Sequence, residues 1–315
     1  MPTGFLNEEV RDGYRISATM KKIWAIEIDI LMQIQDICDR YNIKWFVEGG
    51  TLLGTVRHKG FIPWDDDIDI EMMRPDYERF IEVAQKELKH PYSLLCHETN
   101  PYCISGHAQI GNLLTTAINR KSIFWTPKCE ECIFVDIFPI DAIPDDEEDA
   151  KFYVEQCHHY KEQARVALYN AVYRSFPRLG DPKHFISNYK ELIRLHHEYS
   201  KSGVQVFCQH YDKFSEGILK YNDKGTEHVA SFALGWNNRK FWQTDWFKDV
   251  TYLPFEWFKV PVMSGYISYL DIMYGDWHRF VIGTSMHGSM LFDPDISYTE
   301  YRSLLKRINL WFKSK

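Results

Sequence analysis

No apolar run in this 315-residue chain reaches the roughly 18 residues that a membrane-spanning helix needs. The opening residues, Met-Pro-Thr-Gly-Phe-Leu-Asn-Glu-Glu, lack the basic region and apolar stretch of a secretory leader, so the sequence predicts a cytoplasmic protein. A basic surplus is missing as well. The net charge of −7 argues against sequence-independent nucleic-acid binding, which relies on a basic face. Repeats and low-complexity runs are absent. The 7 cysteines, an odd number, are expected mostly as reduced, buried thiols. With 45% apolar and 26% charged residues, the composition is that of an ordinary globular chain long enough for a substantial core.

What is present is concentrated between Glu48 and Glu71. Trp45, Phe46 and Val47 form a β-favouring run that ends at Gly49-Gly50, where backbone without Cβ can turn sharply and approach a ligand closely. Thr51 is a fair N-cap, and Thr51 to His58 reads as a short helix whose unpaired N–H groups favour an anion. Asp67-Ile68-Asp69-Ile70 then alternates carboxylate and aliphatic side chains, which on a strand places Asp67 and Asp69 on one face. Two like charges that close invite a cation, and a small set of hard oxygen ligands suits Mg²⁺. Asp65 and Asp66 stand beside them as ligands or as holders of the ion's waters. A third acid, Asp136, interrupts the apolar run Ile133-Phe134-Val135-Asp136-Ile137-Phe138, and a carboxylate in such a setting calls for a purpose.

A Gly-Gly turn, an Asp-x-Asp strand and a lone Asp on a later strand is the landmark order of the nucleotidyltransferase superfamily. The wording of Gly49 through Gly54 and of Val56 through Ile70 resembles the LicD family, which includes the fukutin-type transferases. So does Phe134 through Asp141, followed by Ile143-Pro144, and so do Tyr252 through Glu256, Val260-Pro261-Val262 and Tyr274 through Trp277. The resemblance implies an α+β fold: a nucleotidyltransferase-like mixed sheet flanked by helices, with an appended, mostly helical part. It implies transfer of a phospho-alcohol, most familiarly phosphocholine, from a CDP-linked donor to a sugar hydroxyl of a cell-surface glycan, with CMP as leaving group. Carried over residue by residue, it implies Mg²⁺ or Mn²⁺ on Asp67, Asp69 and Asp136, a metal or supporting role for Asp65, and donor phosphates on Gly49, Gly50 and Thr51. Asp136 either completes the metal set or accepts the acceptor's proton. Between the acid strands the family commonly carries a Lys and an Arg; here Gln109 and Gly111 stand in the aligned stretch, so other bases such as Arg120 or Lys121, or a different donor, come into question.

Arg57, His58 and Lys59 follow the glycine turn and are candidates for the diphosphate or the leaving CMP. Cys129-x-x-Cys132, with Cys96 and Cys103 upstream, is half of a zinc pattern, but the spacing is loose and free buried thiols are the default over structural Zn²⁺. Met20 to Tyr41 carries a helical apolar face, Arg74-Pro75-Asp76 opens another helix, and strands are expected at Tyr92 to Cys96 and Ile104 to Ile110. The acidic run Asp145 to Asp149 reads as a helix start, with helices over Ala150 to Ser175 and His184 to Tyr221. The division is therefore expected as residues 1–145, the catalytic core, and 146–315, a helical and aromatic-rich part, or as one continuous domain. Trp236, Trp242, Trp246, Trp257 and Trp277 are read as core rather than as a choline cage. Tyr301 to Lys315 is a basic amphipathic end that fits either its own domain or the inner face of a membrane bearing a lipid-linked glycan. Competing activities are nucleotidyl transfer to a small hydroxylated acceptor, which releases pyrophosphate, and a non-catalytic nucleotide- or glycan-binding relative.

Overall fold

The computed structural model describes residues 1–120, 129–173, 204–232, 241–283 and 290–313; Lys121, Trp236, Lys315 and the start of the helix expected from His184 lie outside them. The described chain divides into two compact units. The first comprises Met1–Leu95, His107–Ile140 and Trp242–Lys315, and the second Cys96–Gly106 and Asp141–Phe241.

In the first unit a short hairpin, β1 (Glu9–Arg11) with β2 (Tyr14–Ile16), leads into α1 (Ala18–Tyr41). The Ser17 hydroxyl accepts from Met20 N–H at 3.1 Å and caps that helix. Ile23, Trp24, Ile30, Leu31, Ile34 and Ile37 repeat at helical spacing and are buried along one face. β3 (Phe46–Val47) runs into α2 (Gly49–His58), followed by β4 (Asp69–Met73) and α3 (Arg74–Glu87), which has Pro75 in its first turn. β5 (Tyr92–Leu95), β6 (Ala108–Asn112), β7 (Thr116–Asn119) and β8 (Ile133–Ile143) follow, of which β5, β6 and β8 complete the central sheet. The pairings give the order β3-β4-β8-β6-β5. Only β4 and β8 are parallel, so the sheet is mixed, flanked by helices in the expected α+β arrangement.

Three sequence expectations need correction. The strand expected from Ile104 begins at Ala108. The Asp136 strand runs on to Ile143 through Pro139, in register with β4. The helix expected at Thr51 starts two residues earlier, with Glu48 as N-cap, so Thr51 lies inside its first turn.

In the second unit α4 (Glu147–Tyr173) packs against α5 (Val204–Ile218) around Tyr153, Val154, Cys157, Ala164 and Phe214. Asp146 Oδ1 accepts from the backbone N–H groups of Glu148 and Asp149, so the acidic run does open a helix. β9 (His228–Ala230) pairs antiparallel with the Asp141–Ile143 end of β8.

The late part of the first unit contains β10 (Trp242–Gln243), the hairpin of β11 (Val250–Phe255) and β12 (Phe258–Met263), and α6 (Tyr266–Tyr274). β13 (Met290–Asp293) pairs with β7, and α7 (Tyr298–Lys313) ends the described chain. Arg302, on the basic side of α7, is held by Glu131 at 2.5 Å with both side chains largely buried. The α7 side chains from residue 306 onward lie outside the described ones. Among the described residues no helix is long and apolar enough to cross a membrane.

Candidate active site

The glycine pair is fixed by two separate demands. Gly49 sits at φ +53°, a left-handed conformation that costs an L side chain, and a Cβ there would also lie 3.8 Å from both Asp69 Oδ2 and the Tyr274 hydroxyl. At Gly50 the reason is space, since a Cβ would stand 2.6 Å from Asp65 Oδ2. The first bond of α2 runs from Leu52 N–H to Glu48 C=O at 2.9 Å. The N–H groups of Gly49, Gly50 and Thr51 therefore have no acceptor within the helix and form the positive end of its dipole. Thr51 ties this turn to the sheet: its Oγ1 accepts from Asp69 N–H at 2.9 Å.

Around that turn the sheet gathers acids. Asp69 on β4 pairs in register with Asp136 on β8, although 67 positions separate them in sequence. Asp67 lies in the extended approach to β4, where Asp136 N–H donates to Ile68 C=O at 3.2 Å. Among the described residues, Asp65, Asp66 and Asp67 form a group whose carboxylate oxygens lie within 4.8 Å of one another. Burial first, and then the neighbouring Asp67, pushes Asp65 and Asp69 well above the ordinary carboxylate range. The charges near these two that raise their proton affinity are all carboxylates, so the cluster needs protons or a cation to balance it. All its donors are hard oxygens, which fits Mg²⁺ or Mn²⁺ and not a thiolate-bound ion. Cys96, Cys103, Cys129 and Cys132 are free thiols. None of them joins a group of three ligand side chains among the described residues.

Asp136 is held by two side chains on one oxygen. Gln109 Nε2 donates to Oδ1 at 2.8 Å, and His107 Nε2 lies 3.1 Å from the same atom, leaving Oδ2 for a cation or for a proton. Gln109 thus gives Asp136 a neutral hydrogen bond, where a lysine would give an ion pair. At Gly111 a Cβ would collide with Cys132 Sγ, so a larger residue would require Cys132 to move. Arg120 is exposed at the end of β7.

Other buried groups back the turn. Glu48, 2% exposed, accepts a 2.5 Å hydrogen bond from the Tyr269 hydroxyl of α6. Burial raises its pKa to about 7, and the Tyr269 hydrogen bond works against that rise. Glu71, on the Asp69 face of β4, is fully buried and neither of its carboxylate oxygens has a hydrogen-bond partner. The Tyr274 hydroxyl approaches the glycine turn, and burial with the surrounding acids strongly disfavours its ionisation. An alternation of polar and apolar residues finds Asp69 and Glu71, but Glu48 and Tyr269 are 221 positions apart and only folding joins them.

Arg57, His58 and Lys59 sit at the opposite end of α2 from Gly49, about 12 Å along a helix that rises ~1.5 Å per residue. Arg57 Nη1 donates to the carbonyls of Trp277 at 2.9 Å and Arg279 at 3.3 Å. The His58 ring stacks on Phe280, and burial lowers its pKa. Lys59 ends the helix at φ +58°. The structure brings Gly49, Gly50, Thr51, Asp65, Asp67, Asp69 and Asp136 together and leaves these three basic residues apart from them.

A helix N-terminus facing paired strand acids is a nucleotidyltransferase arrangement, and the pattern of the LicD/FKTN/FKRP nucleotidyltransferase domain matches residues 42–179. Those residues are similar to the LicD-family domain. It is 29% identical, over 268 residues, to lipopolysaccharide cholinephosphotransferase LicD of Haemophilus influenzae, covering 83% of this chain and 92% of that protein. Shorter matches reach Rickettsia prowazekii protein RP689, 42% identical over 71 residues or 26% of its length, and Rickettsia typhi protein RT0683, 41% identical over 70 residues or 22% of its length. The LicD-type domain includes the glycine turn and all the strand acids described above.

Proposed function

We propose that this protein is a transferase that moves phosphocholine from a CDP-linked donor to a sugar hydroxyl of a cell-surface glycan and releases CMP. The observation that carries the reading is its likeness to a lipopolysaccharide cholinephosphotransferase along 83% of the chain. The convergence of Gly49, Gly50, Asp65 and Asp69 in one unit supports it.

In this reading the acceptor oxygen attacks the phosphorus that bears the alcohol, the bond from that phosphorus to the CMP oxygen breaks, and the hydroxyl proton passes to a base, Asp136 or a water. The N–H groups of Gly49, Gly50 and Thr51 hold the donor's phosphate oxygens at the positive end of α2. Asp67, Asp69 and Asp136, with Asp65 beside them, would hold Mg²⁺ or Mn²⁺, which would supply neutralisation of the charge that develops on those oxygens. Asp136 has Oδ1 fixed by Gln109 and His107, so Oδ2 is oriented for the ion or for the acceptor's proton. Tyr269 and Glu48 keep the turn in place from behind. Positioning and electrostatic balance, not covalent chemistry, are what such a phosphoryl-group transfer asks of the protein.

The test is CMP release, read by mass spectrometry, from CDP-choline, CDP-ethanolamine, CDP-glycerol and CDP-ribitol in the presence of Mg²⁺ and a glycan acceptor, with Asp67→Asn as control. Metal-dependent CMP release from CDP-choline, lost in the variant, is expected. Selective release from another of the four donors would keep the reaction class and replace the alcohol. Pyrophosphate release from a nucleoside triphosphate, with every CDP-alcohol inert, would overturn the proposal in favour of nucleotidyl transfer.

A further inference from the structure

We infer that Glu27, on helix α1 and outside every motif of the domain, is part of the cation-binding set, its carboxylate standing behind Asp65, Asp66 and Asp67 to share their ion. The inference rests on reading that triad as the cation site, and it adds a residue that the strand motif does not contain.

Three observations carry it. Trp24 Nε1 donates to the Asp65 carbonyl at 3.0 Å, which fixes this face of α1 against the start of the acidic loop. Glu27 lies three residues further on, and i, i+3 side chains share a helix face. Its carboxylate is within electrostatic reach of Asp67, Asp66 and Asp65. Glu27 is also 1% exposed, with Oε2 lacking any hydrogen-bond partner. A buried carboxylate is ordinarily paired with a base or satisfied by several donors. The nearby buried base of α1, Lys21, is already committed to Glu9 at 2.9 Å. What surrounds Glu27 electrostatically is three more carboxylates, an arrangement that needs protons or a positive ion to balance it, and a bound ion serves all four groups at once. Glu27 is not among the carboxylates within 4.8 Å of one another, so an ion at the triad would reach Oε2 through the hydrogen of a metal-bound water, and Mg²⁺ commonly retains such waters.

The experiment uses Mn²⁺ as the probe. Full-length protein stripped with EDTA is titrated while free Mn²⁺ is followed by electron paramagnetic resonance, for wild type, Glu27→Gln and Asp67→Asn. Circular dichroism and metal-free melting temperature check each fold. Glu27→Gln is expected to keep the fold and weaken Mn²⁺ binding by about 10–100-fold, the effect typical of removing a group that supports the ligands. Mn²⁺ binding within twofold of wild type in Glu27→Gln, together with loss in Asp67→Asn, would overturn the role of Glu27 and leave the triad standing. Wild type that binds no Mn²⁺ would overturn both. Should Glu27→Gln not fold, Glu27→Asp keeps the charge but withdraws it by one methylene; weaker binding is again expected, and unchanged affinity would refute the assignment.

Discussion

Raising the pH of the metal-free protein from about 5 to about 8 should destabilise it, and Glu48 sets the scale of the effect. Its carboxyl is raised from 4.5 to about 7, chiefly by burial. A group whose folded-state pKa lies above its unfolded value contributes stability that is fully present below the unfolded value and is lost as pH rises through the folded one. The window is therefore between about pH 4.5 and pH 7. At ~1.4 kcal/mol per pH unit, the loss from Glu48 alone is about 3 kcal/mol. Each kcal/mol moves the melting temperature of a domain of 150–250 residues by roughly 2–4 °C, so the expected drop is on the order of 6–12 °C. Asp65, Asp69 and Glu71, also raised by burial, act in the same direction. His58 acts oppositely, because burial lowers its pKa and its neutral form is favoured as pH rises. Glu48→Gln removes the Glu48 contribution and leaves the others, so the difference between wild type and variant isolates it. The assay is thermal or urea unfolding of EDTA-treated protein at several pH values, with and without millimolar Mg²⁺. A wild type no more sensitive than Glu48→Gln between pH 5 and pH 7 would refute the reasoning, as would stability unaffected by the ion at pH 8.

Gly49→Ala should cost roughly 1–2 kcal/mol of stability, measured by urea unfolding, because it forces a left-handed backbone on a residue with a Cβ. Gly50→Ala should instead displace Asp65, whose Oδ2 would be 2.6 Å from the new atom, and so lower turnover and metal affinity more than melting temperature. Tyr269→Phe leaves the buried Glu48 carboxylate without its donor and should cost about 1–3 kcal/mol in an unfolding titration, while moving the Glu48 transition to still higher pH. Asp136→Asn should lower kcat far more than it weakens donor binding, as shown by single-turnover kinetics beside equilibrium binding; equal losses in both would point to a purely cation-holding role.

Much of the fold was legible because its signals are local. The apolar spacing of α1 from Ile23 to Ile37 marks a helix with one buried face, and Ile68 and Ile70 alternate with Asp67 and Asp69 as a half-buried strand requires. The glycine pair marked a backbone position where side chains are excluded. Thr51 was misleading: as a good N-cap type directly after two glycines it suggests a helix start, but the helix begins at Gly49 with Glu48 as N-cap, and the Thr51 hydroxyl is free to accept from Asp69 N–H. The strand-like apolar run around Asp136 ends at Phe138 in the sequence pattern, whereas the structure continues β8 through Pro139 as far as Ile143.

The sequence by itself supplied the chemistry on offer: a glycine pair before a short helix, a set of hard oxygen ligands, and a net acidic charge. Only the tertiary structure decided which residues share the site, because sheet register and helix docking join positions far apart in the chain. It set Asp69 opposite Asp136, seated Tyr269 on Glu48, put Gln109 and His107 on one oxygen of Asp136, and buried Glu27 and Glu71 with unpartnered carboxylate oxygens. The same geometry placed Arg57 at the far end of α2, since a helix carries its two ends apart in proportion to its length. A local pattern cannot encode such placements, which follow from long-range pairing and from the burial of charge that this pairing enforces.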